Sequence, residues 1–176
     1  MRPALLLGRA VLLTVLLAGC STAASDLEAE PALAVPAQAQ RATVVRLVDG
    51  DTVVLRGRGV GPLPGEPTRV RLLLVDTPEV HGERDCFGLE ASARAAQLLP
   101  DGADLRVEAD RDLRDRYDRT LLHLWTDDGV NVGEQLVREG LAEVLHVPPN
   151  DQYLEQFHAA EDAARAAGRG LWKACR

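Results

Sequence analysis

The sequence predicts an α+β fold: a small five-stranded antiparallel Greek-key β-barrel (OB-fold) with three α-helices. Three observations lead there. Short β-branched runs of strand length recur from residue 43 to residue 125, one helical stretch interrupts them after the third run, and two more follow the last. A chain of 176 residues, 46% hydrophobic and 27% charged, is about one domain and is neither collagenous nor wholly disordered.

Residues 43–48 and 52–55 are the first two strands, separated by the turn signal Asp49-Gly50-Asp51. Residues 56–67 hold four Gly and three Pro and read as a long hairpin loop. The third strand, 69–75, is apolar enough to be central and is stopped by Thr77-Pro78. Residues 89–99 are helical and end at Pro100-Asp101-Gly102, after which 105–108 and 119–125 supply strands four and five. A short helix over 131–139 turns Val132, Leu136 and Val137 inward and stops at Gly140. The last helix starts near Asn150-Asp151, carries Tyr153, Phe157, Ala160 and Ala164 at core spacing, and ends before Gly168.

The N-terminus reads as an address. Arg2 precedes an apolar stretch that ends in Leu17-Ala18-Gly19-Cys20, so residues 1–19 form a secretory signal. That ending resembles the lipobox of bacterial lipoproteins, which implies a lipidated Cys20 anchoring the exported protein to the cell membrane; cleavage near Ala24 is the alternative. Residues 20–41 have no aromatic residue and no periodicity and read as a flexible tether, leaving 42–176 as the folded domain. In an exported, oxidising setting Cys86 and Cys175 are expected to form a disulfide, two unpaired thiols being the other reading. A monomer is the default expectation.

Formal net charge is −7, with 19 Arg and a single Lys, Lys173. Such a chain cannot coat nucleic acid by bulk attraction, so a polyanion must be held by a local cluster or a metal. The chemistry lies in four short segments. Asp51 follows the first strand, while Asp76 and Glu79 leave the third; carboxylates at neighbouring strand ends can converge, and hard oxygen ligands favour Ca2+ or Mg2+. Arg71 lies on that third strand and Arg119 opens the fifth. Carboxylates with two guanidinium forks, and no nucleophilic Ser or Cys nearby, suit metal-assisted attack on a phosphate. Each segment alone has a plainer reading. Asp49-Gly50-Asp51 is a common turn, and Asp76-Thr77-Pro78-Glu79 matches a helix start, although residues 80–83 do not continue one. The charged run 110–115 reads as a solvated loop.

Together the segments resemble the staphylococcal nuclease (thermonuclease) family. The likeness is carried by Ala42-Thr-Val-Val-Arg-Leu-Val-Asp-Gly-Asp-Thr52, Arg71-Leu-Leu-Leu-Val-Asp-Thr-Pro-Glu79 and Gly88-Leu-Glu-Ala-Ser92. Asp115-Arg-Tyr-Asp-Arg119, Val130-Asn-Val-Gly-Glu-Gln-Leu-Val-Arg-Glu-Gly-Leu-Ala142 and Gly170-Leu-Trp172 continue it in family order. The resemblance implies Ca2+ held by the Asp51 and Asp76 side chains and the Thr77 carbonyl. It implies Glu79 as general base, Arg71 and Arg119 on the scissile phosphate, and Tyr117 against a nucleotide phosphate. His146 stands where a nucleotide-stacking Tyr is often found, and stacking or a plain surface role are both open to it. The implied activity is hydrolysis of DNA or RNA to 3′-phosphates. A silent OB module that only binds nucleic acid or protein is the competing class, and it would have no need to keep Arg71, Glu79 and Arg119. Departures from the family pattern are a shorter 79–90 loop, a longer 56–67 hairpin, Asp118 in place of a usual Gly, and an acidic surface.

Overall fold

The computed structural model describes residues 33–80 and 85–175. The expected signal over 1–19 and the lipidation site Cys20 lie outside them. Five strands close a barrel in the order β1-β2-β3-β6-β5, formed by β1 (Gln40–Leu47), β2 (Thr52–Arg58), β3 (Thr68–Leu72), β5 (Asp104–Glu108) and β6 (Thr120–Thr126). Alternate strand positions fill the core: Val53, Leu55, Val70, Leu105, Val107, Leu122 and Leu124 are all buried. One pair corrects the expectation of an all-antiparallel barrel. β3 and β6 run parallel, with Val70 opposite Thr120 and Arg71 opposite Leu121, because the chain between them crosses the barrel through a helix and β5.

The third strand is not continuous. β3 ends at Leu72, and β4 (Leu74–Asp76) leaves the barrel to pair antiparallel with β7 (Glu143–Leu145). The break is a left-handed residue, Leu74, with φ 61°. Among the described residues the helices number four rather than three: α1 (Gly88–Leu98), α2 (Val132–Arg138), α3 (Leu154–Ala166) and the single turn α4 (Leu171–Ala174). α2 is capped by Asn131, whose side chain accepts from the Glu134 amide at 3.0 Å. Phe157 of α3 is fully buried and belongs to the core, as its spacing indicates.

The packed chain also begins earlier than residue 42. β1 starts at Gln40, Leu33 is buried, and the Trp125 indole N–H donates to the Leu33 carbonyl at 3.1 Å. The described end of the expected tether is therefore part of the fold. The Cys86–Cys175 disulfide is present, with a Cα–Cα distance of 5.7 Å, and joins the start of α1 to the end of α4.

Candidate active site

Sheet register brings the first pair of site residues together. Thr52 of β2 lies opposite Arg71 of β3, so Asp51, one residue earlier, reaches the Arg71 side chain. The Leu72 amide donates to the Asp51 carbonyl at 2.9 Å and fixes that approach. Arg71 Nη2 lies 3.0 Å from Asp51 Oδ2 and 2.9 Å from Asp76 Oδ1. Its Nη1 donates to the carbonyls of Leu72 and Val75. The guanidinium thus sits where two carboxylates converge, with its stem buried.

Asp51 is held from the other side by Thr77. The Thr77 amide and hydroxyl both donate to Asp51 Oδ2 at 3.1 Å, and the Thr52 hydroxyl donates to Oδ1 at 3.1 Å. Gly50 is needed for this closeness, since a Cβ there would lie 2.6 Å from Thr77 Oγ1. Burial pushes the Asp51 carboxyl above its usual range, against the opposing pull of Arg71 and the Thr77 amide.

Arg119 stands at the mouth of β6, two positions before Leu121, the residue opposite Arg71 in the parallel pair. Asp115 orients it: Asp115 Oδ2 accepts from Arg119 Nε at 2.6 Å and Oδ1 accepts from the Arg119 and Tyr117 amides at 2.9 Å. Burial would raise the Asp115 carboxyl, but these hydrogen bonds outweigh it and hold the group below its usual range. Tyr117 is exposed, with the Arg116 and Arg119 guanidinium carbons 4.7 and 5.5 Å from its ring centre. Asp118 has φ 61°, so the backbone keeps the left-handed turn that a Gly would favour, in a residue type that tolerates it.

Arg71, Arg119 and Tyr117 line one cavity of about 520 Å³, whose walls include Leu72, Leu74 and Leu145. Asp76, Thr77 and Glu79 line an adjoining cavity of about 470 Å³ that also touches Leu145. Of the expected residues, Asp51, Arg71, Asp76 and Thr77 form one bonded cluster; Arg119 shares a cavity with Arg71, and Glu79 shares one with Asp76. His146 is exposed just after β7; its neighbours Leu145 and Val147 line the larger cavity, and His146 does not. Sequence reasoning missed Asp115, which lies in the run read as a solvated loop. The signal was its position four residues before Arg119 across a turn.

The donor set suits a hard cation. The Asp51 and Asp76 carboxylates converge on Arg71 Nη2, and Thr77 follows Asp76 with a backbone carbonyl, so hard oxygen donors gather in one place. Among the described residues no three His, Cys, Asp or Glu side chains are grouped to hold a metal, so backbone oxygens and water would complete the shell.

A family model described as Staphylococcal nuclease homologue matches residues 69–174. The chain belongs to the staphylococcal nuclease family. Within that family, it is 38% identical over 135 residues to Endonuclease YncB of Bacillus subtilis, covering 74% of this chain and 60% of YncB. It is 38% identical over 135 residues to the SPbeta prophage-derived endonuclease YokF of the same species, covering 74% of this chain and 43% of YokF. To the Thermonuclease of Staphylococcus intermedius it is 34% identical over 134 residues, covering 74% of each chain. The chain thus spans less than two thirds of YncB and of YokF.

Proposed function

We propose that this protein is an exported, calcium-dependent nuclease that hydrolyses phosphodiester bonds of DNA or RNA and leaves 3′-phosphates. The observation that carries the reading is Arg71, fixed between Asp51 and Asp76 while opening onto the same cavity as Arg119. The names of the relatives, endonuclease and thermonuclease, support the same chemistry.

Asp51, Asp76 and the Thr77 carbonyl would hold the cation, which supplies charge neutralisation at the phosphate. Arg71 and Arg119 present guanidinium N–H groups to the phosphate oxygens and offset the charge that gathers in the transition state. Asp115 takes up Arg119 Nε and leaves the two Nη groups for a ligand. Glu79, exposed beyond the acidic end, takes the proton of the attacking water as it adds in line. Tyr117 meets a neighbouring phosphate.

Lipidation at Cys20 would keep the enzyme on the outer side of the cell membrane, and the exposed Cys86–Cys175 bridge suits that oxidising location. Labelling of the wild type but not of Cys20→Ser with a radioactive fatty acid checks the anchor. The activity is tested by digesting end-labelled DNA and RNA, single-stranded and duplex, with Ca2+, Mg2+ or a chelator. Calcium-dependent release of 3′-phosphate fragments, fastest on single strands, is expected. Glu79→Gln should fall about 10²- to 10⁴-fold with the fold intact. Cleavage that survives the chelator, or no cleavage with Ca2+, refutes the reading.

A further inference from the structure

Glu79 has to be aimed at the attacking water, yet it lies beyond the end of β4 in a segment with no helix or strand of its own. Both of its main-chain polar groups go to one residue. The Glu79 amide donates to Asp85 Oδ2 at 3.2 Å, and the Asp85 amide donates to the Glu79 carbonyl at 3.0 Å. A second contact closes on the same carbonyl from α1: a Cβ on Gly88 would lie 2.6 Å from the Glu79 oxygen.

Asp85 is itself fixed. Its carbonyl accepts from the Gly88 amide at 3.2 Å, closing a turn in which Phe87 has φ 72°. A bulky residue rarely adopts that conformation, and here the Phe87 side chain packs against the core and holds it. Cys86, between them, is bridged to Cys175 at the end of α4. Glu79, Asp85, Cys86 and Cys175 line the same cavity of about 470 Å³.

We propose that Asp85 is a positioning residue for Glu79, and that the Cys86–Cys175 disulfide keeps Asp85 in place. The proposal rests on the nuclease reading of Glu79. Arg71 is held by the β2–β3 pair, Asp51 by the Thr77 amide and hydroxyl, and Asp76 by the β4–β7 pair and Arg71, so the clamp acts on the reaction step and not on cation or phosphate binding. Both cysteines are exposed, so a dithiol can reach them. One of its thiolates attacks a protein sulfur, breaking the Cys86–Cys175 bond and releasing the other cysteine as a thiolate. The dithiol's second thiol then attacks its own sulfur in the mixed disulfide and releases the remaining cysteine. The products are two protein thiols and one oxidised dithiol. Reduction therefore slows turnover while leaving binding in place.

The test compares the oxidised protein, the dithiol-reduced protein, Asp85→Ala and Asp85→Asn. It reads kcat, KM, Ca2+ affinity by calorimetry, and hydrogen exchange at the Glu79 amide. Asp85→Ala should lower kcat about 10- to 100-fold, the scale of a misplacement near 1 Å, with KM and Ca2+ affinity within about twofold. Its Glu79 amide should exchange faster. Asp85→Asn keeps an acceptor oxygen and should restore most of both, and the reduced wild type should lose kcat in the same sense. Unchanged kcat or unchanged exchange in Asp85→Ala overturns the proposal. So does a loss that falls on KM or Ca2+ affinity, an Asp85→Asn as poor as Asp85→Ala, or a reduced enzyme at full kcat. If the unmodified chain cleaves nothing, the nuclease reading fails by itself, and Glu79 exchange still decides whether the clamp exists.

Discussion

His123 makes the stability of the fold depend on pH in a calculable way. It lies on β6, buried, with its ring centre 4.8 Å from Tyr153 in an edge-on contact and near Trp125 and Phe157. Its Nε2 has no hydrogen-bond partner among the described residues. Burial pushes its pKa down to about 4, with Asp110 pulling weakly the other way. The folded state therefore holds the neutral ring, while the unfolded chain protonates near the ordinary value of 6.5. Between those values the unfolded state binds more protons, so stability rises with pH. The His123 contribution is intact above about pH 6.5 and is lost as pH falls toward 4, where the loss levels off. The full difference is about 3 kcal/mol, of which about 2 kcal/mol is gone by roughly pH 5. Urea unfolding of the wild type and His123→Leu from about pH 7.5 to 4.5 measures it. The gap between the two proteins should shift in favour of the variant by about 2 kcal/mol as pH drops to 5. A gap independent of pH, or an NMR titration of His123 near its ordinary value, refutes the reasoning.

Three other outcomes follow from the same geometry. Reducing the Cys86–Cys175 bridge opens an 89-residue closure. In the chain-entropy model this removes about 4–5 kcal/mol, to be read as a fall in Tm with dithiol, and an unchanged Tm would count against it. Arg71→Lys should lose stability as well as activity, because an ammonium cannot serve Asp51, Asp76 and two carbonyls at once. Arg119→Lys should lose activity alone, and thermal melts beside kcat separate the two. Binding of a catalytically dead Glu79→Gln to single-stranded DNA should show a log–log salt slope near −2, for about two or three neutralised phosphates. A slope near −8 would mean that a much wider basic surface takes part.

The barrel strands were legible because each is a β-branched run bounded by Gly, Pro or Asp. What escaped were features set by contacts distant in sequence. Leu74 breaks the third strand with φ 61°, yet nothing in Leu72-Leu73-Leu74-Val75 marks a bend, since no Gly stands there. β7 is three residues long and exists because β4, once outside the barrel, needs a partner. The parallel β3–β6 pair depends on strand order, which periodicity does not reveal. Leu33 lies in an aperiodic segment and is recruited by the Trp125 indole. The site was more legible than the fold around it. Arg71, Asp76, Thr77 and Glu79 fall within nine consecutive residues, and the Cys86–Cys175 pairing follows once Cys20 is assigned elsewhere. Asp115 and Asp85 stayed hidden because a carboxylate among many acids shows its role only when its partners are known.

The bend at Leu74 is also what makes the site possible. Along a straight strand Arg71 and Asp76 would be about 16 Å apart, beyond the reach of any side chain. Folding β4 away from β3 instead brings Arg71 Nη2 to 2.9 Å from Asp76 Oδ1. A left-handed Leu costs about 1–3 kcal/mol, and the ion pairs cannot supply it, because Asp51 loses hydration by being buried. The Leu74 side chain is 3% exposed, and burying a Leu contributes about 1.5–3 kcal/mol, which matches the strain. Convergence of Asp51 and Asp76 on Arg71 is thus held by the hydrophobic core and not by the ion pairs alone. A cluster held in this way does not depend on the charge state of whatever binds beside it.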